Sequence, residues 1–218
     1  MINDGTSPYK PLVDSTAVTS TTTTLAWMIL FLLAGALISL VIAHIAGRRE
    51  VSPISEAVSD YGVGDLRWLY RLTAMWLGLA GLLTGAMLGD AMYPKPTSVI
   101  LLLILFAAVR WAITLFPTDL EGEELTSTGR SHLVLAVLAF ASISVAAVVF
   151  PSLIGDDRFW DEEAGLLTAI GWAMLALAIA SGVTRRFLPQ IFGLVERLLY
   201  LAMFAWLGAI SVIMLIAA

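Results

Sequence analysis

Six long apolar runs are the feature that most constrains how this chain of 218 residues can fold. They lie at about 25–46, 68–89, 98–117, 132–154, 164–184 and 191–217. Each is close to the ~20 residues that a helix needs to cross a hydrocarbon core of ~30 Å. Because lipid offers no partner for an unpaired backbone N–H or C=O group, each run must be a helix. The sequence therefore predicts an all-α fold, a polytopic membrane protein built as a bundle of six transmembrane helices.

The composition supports a membrane domain and argues against several other classes of protein. Hydrophobic residues make up 59% of the chain and charged residues only 13%, whereas soluble domains carry roughly 45–50% and about 25%. The formal net charge is −5. Since phosphate binding needs a basic face, nucleic acid is not expected as a partner. The chain has no cysteine, which excludes disulfides, thiolate metal sites and cysteine nucleophiles.

The polar N-terminal segment, 1–24, ends in a run of threonines and has no periodic apolar face. Such a composition is typical of a disordered tail, so the predicted organisation is a tail at 1–24 and a six-helix domain at 25–218. After the first span, Ser52 and Pro53 have the pattern of a helix N-cap followed by proline. We expect a short interfacial helix over 53–60, closed by Gly62.

Cations near the span ends predict the orientation of the chain in the membrane. One side carries eight arginines, namely Arg48, Arg49, Arg67, Arg71, Arg130, Arg185, Arg186 and Arg197. The other side carries three cations, Lys10, Lys95 and Arg158. This asymmetry places the loops 47–67, 118–131 and 185–190 in the cytoplasm and both termini outside. The acidic balance and short loops suit a prokaryotic plasma membrane.

Four glycines, Gly78, Gly81, Gly85 and Gly89, lie on one face of the second span because they are three or four residues apart. Small residues let helix backbones approach closely in membranes. This face predicts helix packing, either against a neighbour in the same chain or against a second copy or another membrane protein. The sequence does not choose between these alternatives.

Polar groups at membrane depth are expensive, so each one is a candidate for function. Arg110 is the clearest, because it lies within the third span, about two turns before Pro117. A charge there needs a partner, and Asp119, Glu196 or an anionic lipid headgroup are the candidates. The alternative is a buried arginine–carboxylate pair that only fixes the packing of the helices.

The chain's two histidines, His44 and His132, map to the same side of the membrane, where Asp119 also lies. Together they suggest an alternative function, a metal-assisted membrane hydrolase that acts on lipid. The spacing of the histidines matches no HxxxH or HExxH motif, and the chain contains no G-x-S-x-G, Walker or G-x-G-x-x-G motif. Catalysis is therefore not motivated by the sequence, and no cofactor is expected.

Three local patterns carry a resemblance to a known family. They are Ser52-Pro53-Ile54-Ser55-Glu56, Phe116-Pro117-Thr118-Asp119 and Thr128-Gly129-Arg130-Ser131-His132, the last leading into an apolar helix. Together with the span count, they resemble the hallmarks of a family of six-span prokaryotic membrane proteins of unknown function. The patterns extend from the end of the first span to the start of the fourth.

A more distant similarity is to the Frag1/DRAM/Sfk1 family. Its P-x-I-S-D loop after the first span is similar to Pro53-Ile54-Ser55-Glu56, with glutamate in place of aspartate, and its H-x-x-x-A-x-x-x-F helix to His132, Ala136 and Phe140. Members are linked to lipid remodelling and lipid asymmetry, so this resemblance implies a lipid-related function. It also implies a luminal P-x-I-S loop, whereas the charge count places that loop in the cytoplasm.

The leading hypothesis is a non-catalytic integral membrane protein whose polar residues at one membrane face bind a lipid headgroup. The proposed ligand-binding residues are Arg110, Asp119, His132, Ser55, Glu56 and Glu196. Arg110 would neutralise an anionic headgroup, and Asp119 would accept a hydrogen bond from His132. The partners expected are membrane lipids. A third alternative is a structural subunit of a larger membrane complex.

Overall fold

The computed structural model describes residues 18–120, 124–154, 160 and 163–218. Six long helices occur in these residues: α1 (Ser20–Ala46), α2 (Arg67–Ala91), α3 (Thr97–Ala112), α4 (Ser127–Ile154), α5 (Ala164–Phe187) and α6 (Phe192–Ile216). The short 3₁₀ helices Ile113–Leu115 and Pro189–Ile191 extend α3 and precede α6. With these extensions, all six are long and apolar enough to cross a membrane. The chain is therefore an all-α, multi-pass membrane protein, as the sequence predicts.

The helices are arranged in chain order. Consecutive helices pack against each other, and α1 also packs against α6, which closes the bundle. Short connections between neighbours favour this antiparallel order. At one end of the bundle α1, α3 and α5 finish and α2, α4 and α6 begin, and we call this the site end. Its connecting segments are 47–66, the described part of 113–126, and 188–191.

Aromatic rings fill the core in the half of the bundle away from the site end. Phe150 of α4 lies edge to face with Trp160 at a centroid distance of 5.3 Å and with Trp206 of α6 at 6.1 Å. All three side chains are fully buried. Such pairs are favoured by the quadrupoles of the rings and add to their burial from lipid. This half is therefore closely packed, whereas both cavities described below lie towards the site end.

The first helix begins earlier than the sequence predicts. The expected tail runs to residue 24, whereas α1 starts at Ser20 with Thr19 as its N-cap. The Thr19 hydroxyl accepts hydrogen bonds from the N–H groups of Thr21 and Thr22. The hydroxyl of Thr22, fully buried, donates to Asp90 of α2 over 2.8 Å. The threonine run thus forms the first turn of a span, and 1–17 lie outside the described residues.

Two predicted boundaries at the site end are also wrong. The expected interfacial helix at 53–60 is replaced by a 3₁₀ helix at Val58–Gly62. The carboxylates of Asp60 and Glu196 accept hydrogen bonds from the N–H groups at its start, those of Ala57 and Val58. The fourth span begins at Ser127, so that part of the predicted loop 118–131 is helical. At Val58 the acceptor is the carboxylate of Glu196, which is distant in sequence. At the start of α4 the acceptor is Asp119 of the preceding loop, which binds Thr126.

The glycine face of α2 packs against α3 of the same chain. A Cβ atom at Gly81 would lie 2.7 Å from a ring carbon of Phe106, and one at Gly78 would lie 3.0 Å from Cβ of Arg110. Gly85 and Gly89 face Leu103 and Ile100 of α3 in the same way. The glycines therefore act in helix packing within the chain. A contact of this face with a second copy or another membrane protein stays a prediction.

Candidate functional site

A cavity of about 310 Å³ lies between α3, α4, α5 and α6, and we call it the inner cavity. One part of its wall is apolar and comes from α4 and α5. Val137 and Ile179 belong to this wall and are 58% and 62% exposed on the outer surface of the bundle. The cavity therefore reaches the lipid-facing surface between α4 and α5. Its polar lining residues are Ser59, Tyr70, Arg110, Thr118, His132, Ser181, Arg185, Glu196 and Tyr200.

Arg110 is the central polar residue of the inner cavity. It lies in the last turn of α3, where the helix dipole favours a cation. Its side chain is only 1% exposed, and Nη1 donates to the Tyr200 hydroxyl over 3.0 Å. Nε and Nη2 are buried without a hydrogen-bond partner in the described part of the chain. Since buried charged groups are normally hydrogen-bonded, these two donors can bind an acceptor that the described residues do not supply.

Glu196 faces the same cavity from α6, one helical turn before Tyr200. It is buried, and one carboxylate oxygen accepts a hydrogen bond from the N–H of Val58 over 2.6 Å. This bond holds the start of the 3₁₀ helix Val58–Gly62 against α6. Glu196 therefore has a structural role, and it also supplies a negative charge beside Arg110.

A second cavity of about 190 Å³, the outer cavity, lies next to the inner one at the site end. Thr118, Arg185 and Phe192 line both cavities, so the two are neighbours across these side chains. The outer cavity adds two carboxylates, Asp60 and Asp119. Arg185 stacks its guanidinium over the ring of Phe192, 5.5 Å from the centroid. The two cavities together carry both positive and negative side chains.

The carboxyl group of Asp60 is unusually easy to protonate. Burial is the main cause, followed by the negative charge of Glu196, and together they raise the pKa of Asp60 to about 7. A hydrogen bond from the N–H of Ala57, 2.9 Å long, and the positive charge of Arg185 act in the opposite direction. Near neutral pH this residue is therefore present in both protonation states.

His132 and Asp119 do not form the hydrogen bond expected from the sequence. Nδ1 of His132 lies 2.7 Å from the carbonyl oxygen of Phe116, while the ring faces the inner cavity. Asp119 instead accepts from the N–H and the hydroxyl of Thr126, at 2.7 and 2.8 Å, and so holds the start of α4. The two side chains line neighbouring cavities, and each is oriented by backbone that the sequence pattern cannot place.

Ser55 and Glu56 are not part of either cavity lining. The N–H of Ser55 bonds weakly to the hydroxyl of Ser52 over 3.4 Å, and the Glu56 carboxylate accepts from the N–H of Ser52. The carbonyl of Glu56 accepts a 2.7 Å bond from Arg197 of α6. The Ser-Pro-Ile-Ser-Glu segment is therefore an ordered loop fixed to α6, and its side chains mainly satisfy its own backbone.

Arg197 also explains the position of His44. Its Nε donates to Nε2 of His44, whose Nδ1 lies 2.8 Å from the carbonyl of Leu40, so the neutral ring carries its proton on Nδ1. A second guanidinium nitrogen lies 3.4 Å from the Tyr61 hydroxyl. Both ring nitrogens of His44 are thus committed to the contact between α1, α6 and the 3₁₀ helix.

The alternative metal site of His44, His132 and Asp119 is not assembled. No group of three or more histidine, aspartate or glutamate side chains that could hold a metal occurs among the described residues. His44 bonds Arg197, His132 bonds the Phe116 carbonyl and Asp119 holds α4. Each of the three is engaged by a different part of the fold.

Several residues that build the site were missed in the sequence. Tyr200 and Tyr70 carry hydroxyls that are easily attributed to membrane-interface tyrosines, and Arg185 and Arg197 entered only as cations that set orientation. One pattern could have indicated Tyr200. It follows Glu196 by four residues on an apolar helix, so both polar groups lie on one face.

Comparison with known proteins places the chain in a family. The family described as "Protein of unknown function (DUF998)" matches residues 32–213, which include all the cavity residues named above. The chain therefore belongs to this family. No curated protein and no solved structure matches it significantly.

Proposed function

We propose that this member of the DUF998 family binds a membrane lipid, with the lipid's phosphate at Arg110 and an acyl chain between α4 and α5. The chain is a multi-pass membrane protein of a family without a described function. The observation that carries the proposal is the buried guanidinium of Arg110, two of whose nitrogens have no hydrogen-bond partner in the described chain. It lines a cavity that reaches the lipid-facing surface.

The dimensions of the inner cavity suit a lipid lying parallel to the helices. On α5 the lining runs from Leu175 to Arg185, which is about 15 Å of helix at 1.5 Å per residue. Its volume, about 310 Å³, is at the lower end of the ~300–1,000 Å³ of small-molecule pockets. It would hold a headgroup and the upper part of one acyl chain, and the rest of the lipid would lie on the surface.

The electrostatics of the inner cavity favour an anionic group. Its charged lining residues among the described residues are Arg110, Arg185 and Glu196, two cations and one carboxylate. Phosphate oxygens would accept hydrogen bonds from Nε and Nη2 of Arg110. Such charge-assisted hydrogen bonds are about twice as strong as hydrogen bonds between neutral groups. The lipid would thus remove the cost of a buried, partly unpartnered cation.

The resemblance to the Frag1/DRAM/Sfk1 family, which implies a lipid-related function, is compatible with this proposal. The histidine helix that carries part of the resemblance supplies His132, Ala136 and Phe140, and all three line the inner cavity. The P-x-I-S loop does not line the cavity and contacts α6 from outside it. The proposal therefore depends on the cavity and not on that loop.

The test measures lipid-dependent stabilisation of the purified protein. Wild type and Arg110→Met are stripped of lipid in detergent and titrated with phosphatidylglycerol, while thermal unfolding is recorded. Methionine removes the charge but keeps an unbranched side chain. The matched control is Arg71→Met, which removes an exposed arginine on α2 near the same end. We expect a saturable rise of Tm in the wild type and the control, and at least tenfold weaker apparent affinity in Arg110→Met, as for one lost charge-assisted bond.

A second variant tests the acyl-chain path without touching the polar residues. Ile179→Trp places a large ring at the opening between α4 and α5 and should reduce lipid stabilisation while leaving the lipid-free Tm unchanged. Leu166→Trp, at a position of α5 that is also exposed, is the control. If both Arg110→Met and Ile179→Trp respond to lipid as the wild type does, the cavity is not a lipid site and the proposal is wrong.

We also propose that the site end faces the cytoplasm of a prokaryotic plasma membrane, with both termini outside. The charge asymmetry supports this, because arginines at positions 48, 49, 185, 186 and 197 lie at that end. The chain has no cysteine, so single-cysteine labelling is free of background. In intact cells an impermeant maleimide should label Lys95→Cys and not Arg49→Cys. The reverse labelling would overturn the orientation.

A further inference from the structure

We infer that the lipid taken by this site carries a protonated amine next to its phosphate, as ethanolamine phospholipids do. The inference rests on the proposed function and specifies which headgroup the site prefers. It comes from the outer cavity, which the lipid-binding proposal itself does not use. The two cavities are neighbours, their net charges are of opposite sign, and the outer cavity is lined by hydrogen-bond acceptors more than by aromatic rings.

The two cavities lie next to each other, the outer one at the site end. Thr118, Arg185 and Phe192 line both, so a group bound at Arg110 in the inner cavity would have its substituent next to the outer one. A headgroup substituent attached to the phosphate would extend in this direction, away from the acyl chain between α4 and α5. The outer cavity, about 190 Å³, has room for a small substituent.

The balance of charge changes sign from the inner cavity to the outer one. The inner cavity has an excess of one cation, whereas the outer cavity is lined by the carboxylates of Asp60 and Asp119 and by Arg185 at the boundary. A phosphate at Arg110 and Arg185 would be followed by an ammonium group at Asp60 and Asp119. A headgroup that carries only a phosphate and hydroxyls would leave these two carboxylates facing an anion, which is unfavourable.

Asp60 has the properties of an acceptor for an ammonium group. It is buried and lies close enough to Glu196 for the two negative charges to interact. Its Oδ2 accepts the N–H of Ala57 over 2.9 Å, and a carboxylate can accept further hydrogen bonds. A cation beside it would offset the repulsion from Glu196, so the surroundings of Asp60 favour positive charge.

A choline headgroup fits this environment less well. Its quaternary ammonium cannot donate hydrogen bonds and is usually bound by aromatic faces. Among the described lining residues of the outer cavity, Phe192 is the aromatic one, and Arg185 lies over its ring. A primary ammonium has three donors, which match carboxylate acceptors. The geometry therefore favours an amine over its fully methylated form.

The experiment compares three lipids with identical acyl chains on the lipid-free full chain in detergent. Phosphatidylethanolamine, phosphatidylglycerol and phosphatidylcholine are titrated separately while Tm is recorded. We expect the wild type to bind the ethanolamine lipid roughly tenfold more tightly than either of the others, the size of one charge-assisted hydrogen bond. Asp60→Asn should lose this preference yet keep its response to phosphatidylglycerol. The control Asp65→Asn, an exposed carboxylate at the same end, should keep the preference.

The outcomes separate this inference from the proposed function. If phosphatidylglycerol or phosphatidylcholine stabilises the wild type as well as the ethanolamine lipid does, or if Asp60→Asn keeps the preference, the inference is overturned. The lipid-binding proposal survives that result as long as Arg110→Met weakens all three. If no lipid stabilises the wild type, the proposed function itself fails. A second test uses the wild type alone and compares phosphatidylethanolamine with its mono-, di- and trimethylated forms. The affinity of the protein for the lipid should fall with each added methyl group.

Discussion

The guanidinium group of Arg110 on α3 is held by the phenol of Tyr200 on α6, 90 residues further along the chain. Nη1 donates to the tyrosine hydroxyl over 3.0 Å, and Cζ lies 5.3 Å from the centroid of the same ring. A neutral phenol and a ring face position the cation but do not neutralise it. The arrangement differs from a hydrogen-bonded arginine–carboxylate pair, and it leaves the charge available to an anion.

Tyr200→Phe should destabilise the lipid-free protein. The ring remains, but Arg110 loses its one described hydrogen bond, and an unsatisfied charged donor costs about 1–3 kcal/mol. Thermal unfolding in detergent without lipid measures the loss. Tyr93→Phe is the control, since Tyr93 is 79% exposed and its Tm should not change. An unchanged Tm for Tyr200→Phe would show that the bond contributes nothing to stability.

Arg197→Lys should loosen the segment between α1 and α2. Arg197 donates to His44, to the carbonyl of Glu56 and to that of Gly193. A lysine ammonium lacks the planar fork that reaches these acceptors together, so retaining the charge should not preserve the contact. We expect faster amide hydrogen exchange over 50–62 and a lower Tm. The free energy of unfolding should fall by about 3–6 kcal/mol, since two charged hydrogen bonds of about 1.5–3 kcal/mol each are lost.

Arg186→Lys is the matched control for this prediction, because Arg186 is exposed at the same end. Its exchange pattern and Tm should equal those of the wild type. If amide hydrogen exchange over 50–62 is as slow in Arg197→Lys as in the wild type, the guanidinium does not anchor this segment.

Gly129→Ala should disrupt the start of α4. A Cβ atom at this position would overlap a carboxylate oxygen of Asp119, so the carboxylate would have to leave Thr126. Loss of such a helix cap costs about 0.5–2 kcal/mol. Gly165→Ala, with open space around the new methyl group, should leave Tm unchanged or raise it slightly. A Gly129→Ala variant as stable as Gly165→Ala would contradict the close approach of Asp119.

Asp60 should make stability depend on pH between about 4 and 7. Its pKa is raised in the fold from 3.8 to about 7, chiefly by burial and by Glu196. The fold therefore favours the protonated form, and this contribution is complete below pH 3.8 and is lost as pH rises through about 7. A pKa difference of this size corresponds to at most about 4 kcal/mol.

The measurement is Tm against pH in lipid-free detergent solution. The wild type should lose stability between about pH 4 and 7, and Asp60→Asn should lose less, because the amide stays neutral and can still accept a hydrogen bond from the N–H of Ala57. Asp65→Asn, which changes an exposed carboxylate, should follow the wild-type curve. Parallel curves for wild type and Asp60→Asn would show that another group controls the pH dependence.

The helices were predictable because apolar length and the lack of backbone partners in lipid leave a single solution. Their boundaries were less predictable where polar side chains decide them. Ser20 starts α1 because Thr19 and Thr22 find partners in their own turn and in Asp90, a residue of the next span. Ser127 starts α4 because Asp119 accepts the hydrogen bonds of Thr126. Neither partner is visible in a local pattern.

The candidate site was predictable only in part. Arg110, Glu196 and His132 could be selected because polar groups are rare in this chain, and all three line the inner cavity. Ser55 and Glu56 were selected by resemblance, and their polar groups are used within their own loop. The predicted bond between His132 and Asp119 was wrong. The His132 ring lies next to the loop that precedes α4, and the path of that loop places the carbonyl of Phe116, not the Asp119 side chain, within hydrogen-bond distance.

The sequence by itself determined that this chain is a membrane bundle and that its charges lie near the ends of the spans, with most of the cations at one end. Both follow from the cost of exposing backbone and charge to lipid, which acts on each segment separately. Only the tertiary structure decided which polar groups meet. It paired Arg110 with a tyrosine, used Asp119 and His44 to fix helices, and left a cavity between α4 and α5. The reason is physical: hydrogen bonds form between groups brought within about 3 Å by packing, and one turn of a helix changes which groups those are.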